Sequence, residues 1–174
     1  ACPSDSGTYY SSDSGVTWLF RPNDTPYTWN LVSDKKGHLF VLKYFGGPFL
    51  LFRSDDFGES WQRIFLPVSG DPNRIYVRKD GTVFVPVNNW ILVTKDGGEN
   101  WEQILFPSGN VSCVGWDAQD KMLAACYDGI FRYDALNNEW NDISNGIYRR
   151  RIEKILFTTE NTILVFSIQK CFRS

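Results

Sequence analysis

The chain contains one histidine, His38, and four cysteines, Cys2, Cys113, Cys126 and Cys171, none of them in a CxxC pair. Zinc needs clustered thiolates or imidazoles at short spacing, so no metal is expected. A single histidine without a Gly-x-Ser-x-Gly elbow leaves a hydrolytic triad without its parts. There is no phosphate-cradling loop, so no cofactor is expected either. No run of about 18 apolar residues occurs, which argues against membrane insertion. Residues 1–20 lack the basic-then-apolar layout of a secretion signal, which suggests a mature chain or an excised segment. Positive charge is not in excess: 18 Lys and Arg face 20 Asp and Glu, the net charge is -2 and the pI about 5.4. A nucleic-acid partner is therefore disfavoured. No segment has a helical period.

Apolar and aromatic residues are plentiful, at 43% and 16% of 174 residues, enough for one domain with its own core. Three copies of Ser/Thr-x-Asp-x-Gly-x-x-Trp run through the chain. The first is set by Ser11, Asp13, Gly15 and Trp18. The second has Ser54, Asp56, Gly58 and Trp61, and the third Thr94, Asp96, Gly98 and Trp101. Each reads as a tight turn between strands: Asp and the hydroxyl bond local backbone, Gly supplies a conformation a Cβ would oppose, and Trp opens the next strand. A fourth copy, residues 133–140, has decayed to Tyr-Asp-Ala-Leu-Asn-Asn-Glu-Trp. With Asp134 one place early and no Gly, it predicts a looser turn.

The three copies resemble Asp-boxes, the bacterial neuraminidase repeats of sialidase-like, sortilin-like and xyloglucanase-like β-propellers. The resemblance implies that these turns are structural and lie away from the site. Residues 129–140 also resemble the periplasmic propeller repeats of bacterial two-component sensors.

The first position of the box falls at 11, 54, 94, 133 and 174, in steps of 43, 40, 39 and 41. About four short strands per period of roughly forty residues is the size of a propeller blade. The expected fold is all-β: a β-propeller of four-stranded antiparallel blades, about four blade equivalents, in one domain over 1–174. The blade units run over about 8–20, 27–66, 73–106, 112–143 and 152–174, with residues 1–7 as a tail. The chain ends at the phase where its first box begins, which predicts part of a larger propeller completed by further blades or a second chain.

Antiparallel alternation puts the boxes on the same side as Lys36-Gly37, Asp80-Gly81 and Gln119-Asp120. The irregular loops collect on the opposite side, where function concentrates. The binding candidates there are Tyr27, Tyr44, Asn89, Trp90, Tyr127, Asp128, Tyr148, Arg149, Arg150 and Arg151. Ring faces with fixed polar groups suit a sugar or a peptide. Packing of the aromatics between blades, and solvation of the arginines with one ion pair to Glu153 or Asp142, are the simpler readings.

No catalytic residue is assigned. The sialidase resemblance would require three convergent arginines and a Phe/Tyr-Arg-Ile-Pro motif; Phe20-Arg21-Pro22 lacks the Ile and comes after a box. The expectation is a non-catalytic propeller in an extracellular or periplasmic setting, binding glycan or protein through the loop side. The alternatives are a fragment of a sialidase-like or xyloglucanase-like glycoside hydrolase, and an assembly or sensor scaffold. Counting outward from Gln119-Asp120 sets Cys113 opposite Cys126, which allows a cross-strand disulfide in an oxidising compartment or two buried thiols in any other. Cys2 and Cys171 could meet only if the chain ends do.

Overall fold

The computed structural model describes residues 2–3, 7–22, 27–147, 152–157, 162–167 and 171–173. Every regular element among them is a strand. The first sheet holds β1 (Cys2–Pro3), β2 (Gly7–Tyr10) and β3 (Leu19–Pro22), and the second β4 (Tyr27–Ser33), β5 (Leu39–Tyr44), β6 (Phe49–Ser54) and β7 (Gln62–Ile64). The third holds β8 (Tyr76–Val77), β9 (Val83–Val87), β10 (Trp90–Thr94) and β11 (Glu102–Leu105). The fourth contains β12 (Cys113–Trp116), β13 (Met122–Cys126), β14 (Gly129–Asp134) and β15 (Glu139–Asp142). In the fifth are β16 (Ile152–Phe157), β17 (Ile163–Ser167) and β18 (Cys171–Arg173). In each sheet the strands lie side by side in chain order.

The central strands are covered on both faces, so they read as apolar runs and not as alternations. Residues 40–43 of β5, all of β9 and all of β13 are buried. The outer strands are half wet: in β15 only Trp140 escapes full exposure. By contacts the chain divides into two units, Ala1–Val85 with Val93–Glu102, and Pro86–Leu92 with Gln103–Ser174.

Three expectations change. Residues 1–7 are not simply a tail, because Cys2 and Pro3 form β1 against Tyr9 and Thr8. Polar composition hid this strand, since pairing needs only backbone groups. Next, Cys113 faces Ala125, not Cys126. The loop is a three-residue one: Asp117 N–H bonds Lys121 O (3.0 Å) and Asp120 N–H bonds Asp117 O (2.9 Å), with Asp120 left-handed at φ 63°. An odd loop moves the register by one residue and sends Cys126 to the other face, so both cysteines are buried free thiols. The side chains of Cys2 and Cys171 lie outside the described residues. The decayed turn is also tight: past the pair where the ladders of the first two boxes end, its ladder continues two pairs further, to Asp134 and Glu139. Asp134 accepts from Leu136 N–H (3.0 Å) and Asn137 Nδ2 (2.9 Å), and Asn138, at φ 55°, supplies the left-handed residue that Gly supplies elsewhere.

Candidate functional site

At the turn edge of the first three sheets the box residues bond chiefly to each other. Gly15 N–H donates to Ser11 Oγ (2.8 Å), Gly58 N–H to Ser54 Oγ (2.7 Å) and Gly98 N–H to Thr94 Oγ1 (2.9 Å). Each hydroxyl then donates to the box carboxylate, Asp13, Asp56 or Asp96, at 2.7 to 2.8 Å. The carboxylates in turn accept the backbone N–H of Thr17 (2.9 Å), Ser60 (2.9 Å) and Asn100 (3.0 Å), and also a side-chain donor of the same residue. This seventh box position was missed in the sequence pattern, although a short polar residue stands there in all three copies.

These bonds favour the charged form of each acid. Asp13 is lowered to about 2, chiefly by the Thr17 hydroxyl, then its N–H, then Ser11. Asp56 is lowered further by the Ser60 hydroxyl and N–H, and Asp96 by the Asn100 N–H and side-chain amide. Box glycines sit at φ 88 to 96°, and a Cβ on Gly98 would meet Ile64 Cδ1 at 2.8 Å. In the first unit, Arg53 bonds Asp55 (2.9 Å), Glu99 (3.0 Å) and Gly97 O (2.8 Å), while His38 Nδ1 lies 2.8 Å from Asp34. The polar groups named at this edge are engaged in holding turns.

The opposite edge differs. In the first unit, Tyr27 is the cross-strand partner of Tyr44, and the Tyr44 ring lies 5.2 Å from Phe49. The Tyr27 side chain lies outside the described residues. The β4–β5 register shifts between Thr28 and Asn30, and the intervening Trp29 is 63% exposed, 6.0 Å from Phe49. A bulge of this kind re-aims a side chain. Beside it a groove of about 300 Å³ runs between β6, β7 and the loop after β7, lined by Phe49, Leu51, Arg63, Phe65 and Pro72 among others. Phe65 is 73% exposed, with the Arg63 guanidinium 4.5 Å above its ring. Trp29, Arg63 and Phe65 were not singled out in the sequence, since a bulge and a groove leave no periodic signal.

In the second unit, two backbone bonds stitch the loop after β11 to the turn at 88–89: Phe106 N–H to Asn89 O and Val111 N–H to Asn88 O, both 2.8 Å. Ser108 Oγ bonds Asp128 (3.0 Å). This places Asn89 and Asp128 beside one loop, with Trp90 half-buried at the start of β10 and Tyr127 exposed at 60%. Tyr148, Arg149, Arg150 and Arg151 lie outside the described residues. Among the described residues, no group of three or more His, Cys, Asp or Glu is placed to hold a metal.

No family model matches the chain, and no curated protein matches it. Solved structures do. YCF48 bound to D1 peptide matches 98% of this chain over 59% of its own length, at TM-score 0.69 and 18% identity. A catalytically inactive virginiamycin B lyase from Staphylococcus aureus, with quinupristin, matches 99% of this chain over 65% of its own, at 0.73 and 13%. The extracellular domain of the hybrid two component system BT4673 from B. thetaiotaomicron matches 90% over 22% of its own, at 0.73 and 14%. The chain thus spans less than two-thirds of each. Likeness at such identity carries the fold: the chain is all-β, with four-stranded propeller blades amounting to about four blades of a partial β-propeller.

Proposed function

We propose that this chain is a non-catalytic, extracytoplasmic scaffold: one propeller domain over residues 1–174 with Asp-box turns of the sialidase-like and sortilin-like kind, binding glycan or protein through its loop edge. The observation that carries this reading is that the exposed rings of the loop edge stand on the segments that vary between repeats, whereas the turn edge, where Phe57 and Trp18 are also exposed, is fixed by the repeat. At the turn edge Asp13, Asp56 and Asp96 are occupied within their own turns. At the loop edge Trp29, Phe65 and Tyr127 stay exposed on segments anchored to buried strands. Exposed rings on a rigid frame mark binding surfaces, because they offer large contact area at low entropic cost. A propeller of like fold bound to D1 peptide supports a protein ligand. The likeness to extracellular domains of B. thetaiotaomicron signalling proteins supports the setting, and a sensor scaffold as second reading. Among the described residues no helix is long and apolar enough to cross a membrane. Further blades or a second chain would complete the ring.

The test is a glycan array and a peptide array probed with the purified chain, then with Trp29→Ala, Asn89→Ala and Tyr127→Ala. Hits that these variants weaken support the reading. Two blank arrays, or hits lost with Lys95→Ala at the turn edge and unmoved by the three, overturn it.

A further inference from the structure

We infer that the groove at the loop edge of the second sheet seats a peptide segment presenting an aromatic side chain beside a carboxylate. This rests on the loop-edge reading and names the partner.

The lining decides between sugar and peptide. Phe49, Leu51, Phe65, Val68 and Pro72 offer carbon, and Arg63 is the one charged side chain among the described residues that line the groove. A sugar ring brings several hydroxyls that each need a partner or retained water, whereas an aromatic side chain needs only the carbon surface these residues present.

The molecule itself shows what fits. Five residues after the box tryptophan, the second sheet has Leu66 and the third has Phe106. Phe106 is 1% exposed and meets Phe131 and Trp140 edge-on, with centroids at 5.2 and 5.0 Å. In the third repeat the phenyl ring at this position thus packs against the fourth sheet. In the second, Leu66 borders about 300 Å³ of open space between β6, β7 and the loop after β7, enough to admit a ring from outside.

Arg63 adds the second determinant. Its stacking on Phe65, at 4.5 Å, pre-orients a planar fork at the rim of the groove, and the natural complement of that fork is a carboxylate. Trp29, reached through Phe49, extends the apolar platform for the residue next in the segment.

The experiment is an amide proton–nitrogen NMR titration of the chain with N-acetylphenylalanine, which joins a phenyl ring and a carboxylate in one small probe. Its carboxamide, N-acetylalanine and maltotriose form the other arms. Saturable shifts at Ile64, Phe65, Leu66 and Gly70 are expected with N-acetylphenylalanine. Binding should weaken about tenfold with the carboxamide or with Arg63→Ala, and vanish with N-acetylalanine. Both Arg63 and Phe65 are exposed, so Arg63→Ala and Phe65→Ala should keep the wild-type spectrum elsewhere. Shifts that are absent from the groove, equal for N-acetylalanine, or larger for maltotriose overturn the inference. If array hits survive while the groove stays silent, the peptide assignment falls and the loop-edge reading stands; if the arrays are blank as well, both fall.

Discussion

In the second sheet the strand leaving the eight-residue turn is Gln62–Ile64, followed by Phe65 and Leu66, and the loop beyond them borders a groove of about 300 Å³. The third sheet begins the same way, with the same turn chemistry, yet its strand runs on to a buried Phe106, and the next loop is bonded to Asn88 and Asn89. The turn edge is thus set by the repeat, and the loop edge by the residues between one repeat and the next. Leu66 borders an open groove where Phe106 is buried, and the loop that follows Leu66 is the longer of the two. A propeller that varies there can change its loop surface without touching the hydrogen bonds that define its hairpins.

The comparison breaks most sharply at Phe106. Replacing it with Ala removes a fully buried ring and its two edge-on partners, and should destabilise the chain by about 3–5 kcal/mol in chemical denaturation. Exchange of the amides at position 106 and at Val111, which bond Asn89 O and Asn88 O, should rise with it. A change below about 1 kcal/mol would mean that the second unit does not depend on this ring, and that the two sheets differ less than their burial says.

The next effect falls on the turn edge. Gly98→Ala holds an alanine at φ 96° and places its Cβ 2.8 Å from Ile64 Cδ1, the movable tip of that side chain, so the expected loss is about 1.5–3 kcal/mol, mostly backbone strain. Gly58→Ala meets Trp61 at 3.4 Å, an ordinary contact, and should lose only the backbone part, about 1–2 kcal/mol. Thermal melts of the two variants would rank them. Equal losses would show that conformation alone, and not packing against the second sheet's outer strand, demands glycine in the third turn.

Leu66→Phe tests the comparison from the other side. It gives the second sheet the residue of the third. The added ring should enter the groove at a stability change under about 1.5 kcal/mol and abolish N-acetylphenylalanine binding. Retained binding would place the probe outside the groove.

Much of the blade pattern was legible because its signals are local. Asp13, Gly15 and Trp18 fall within eight residues, and the same spacing recurs at Asp56 and Asp96, so strand order and turn edge came from counting. Register at Asp117–Lys121 was not legible: whether two or three residues form that loop depends on Asp120 adopting a left-handed conformation, and aspartate leaves that choice to its surroundings. The loop edge was half legible. Asn89, Trp90, Tyr127 and Asp128 could be placed because loops between known strands have known sides. Trp29 and the groove could not, because a bulge and a gap depend on how neighbouring strands pack, as at Phe49 and Leu66.

The smallest expected effect concerns acid. Asp13 is lowered from the ordinary 3.8 to about 2, by the Thr17 hydroxyl first, and Asp56 and Asp96 are lowered further. A carboxyl whose folded value lies below its unfolded one stabilises the fold in full above the unfolded value, and that stabilisation is lost as pH falls through the folded value. The three turns should therefore add nothing to pH dependence between 8 and 5, and weaken progressively from about pH 4 downwards. Carbon-detected titration of the side-chain carboxyls should find all three midpoints well below the ordinary 3.8, that of Asp13 near 2. A midpoint at or above 3.8 for any of them would mean that the hydroxyl, amide and N–H donors of its turn do not favour the charged form.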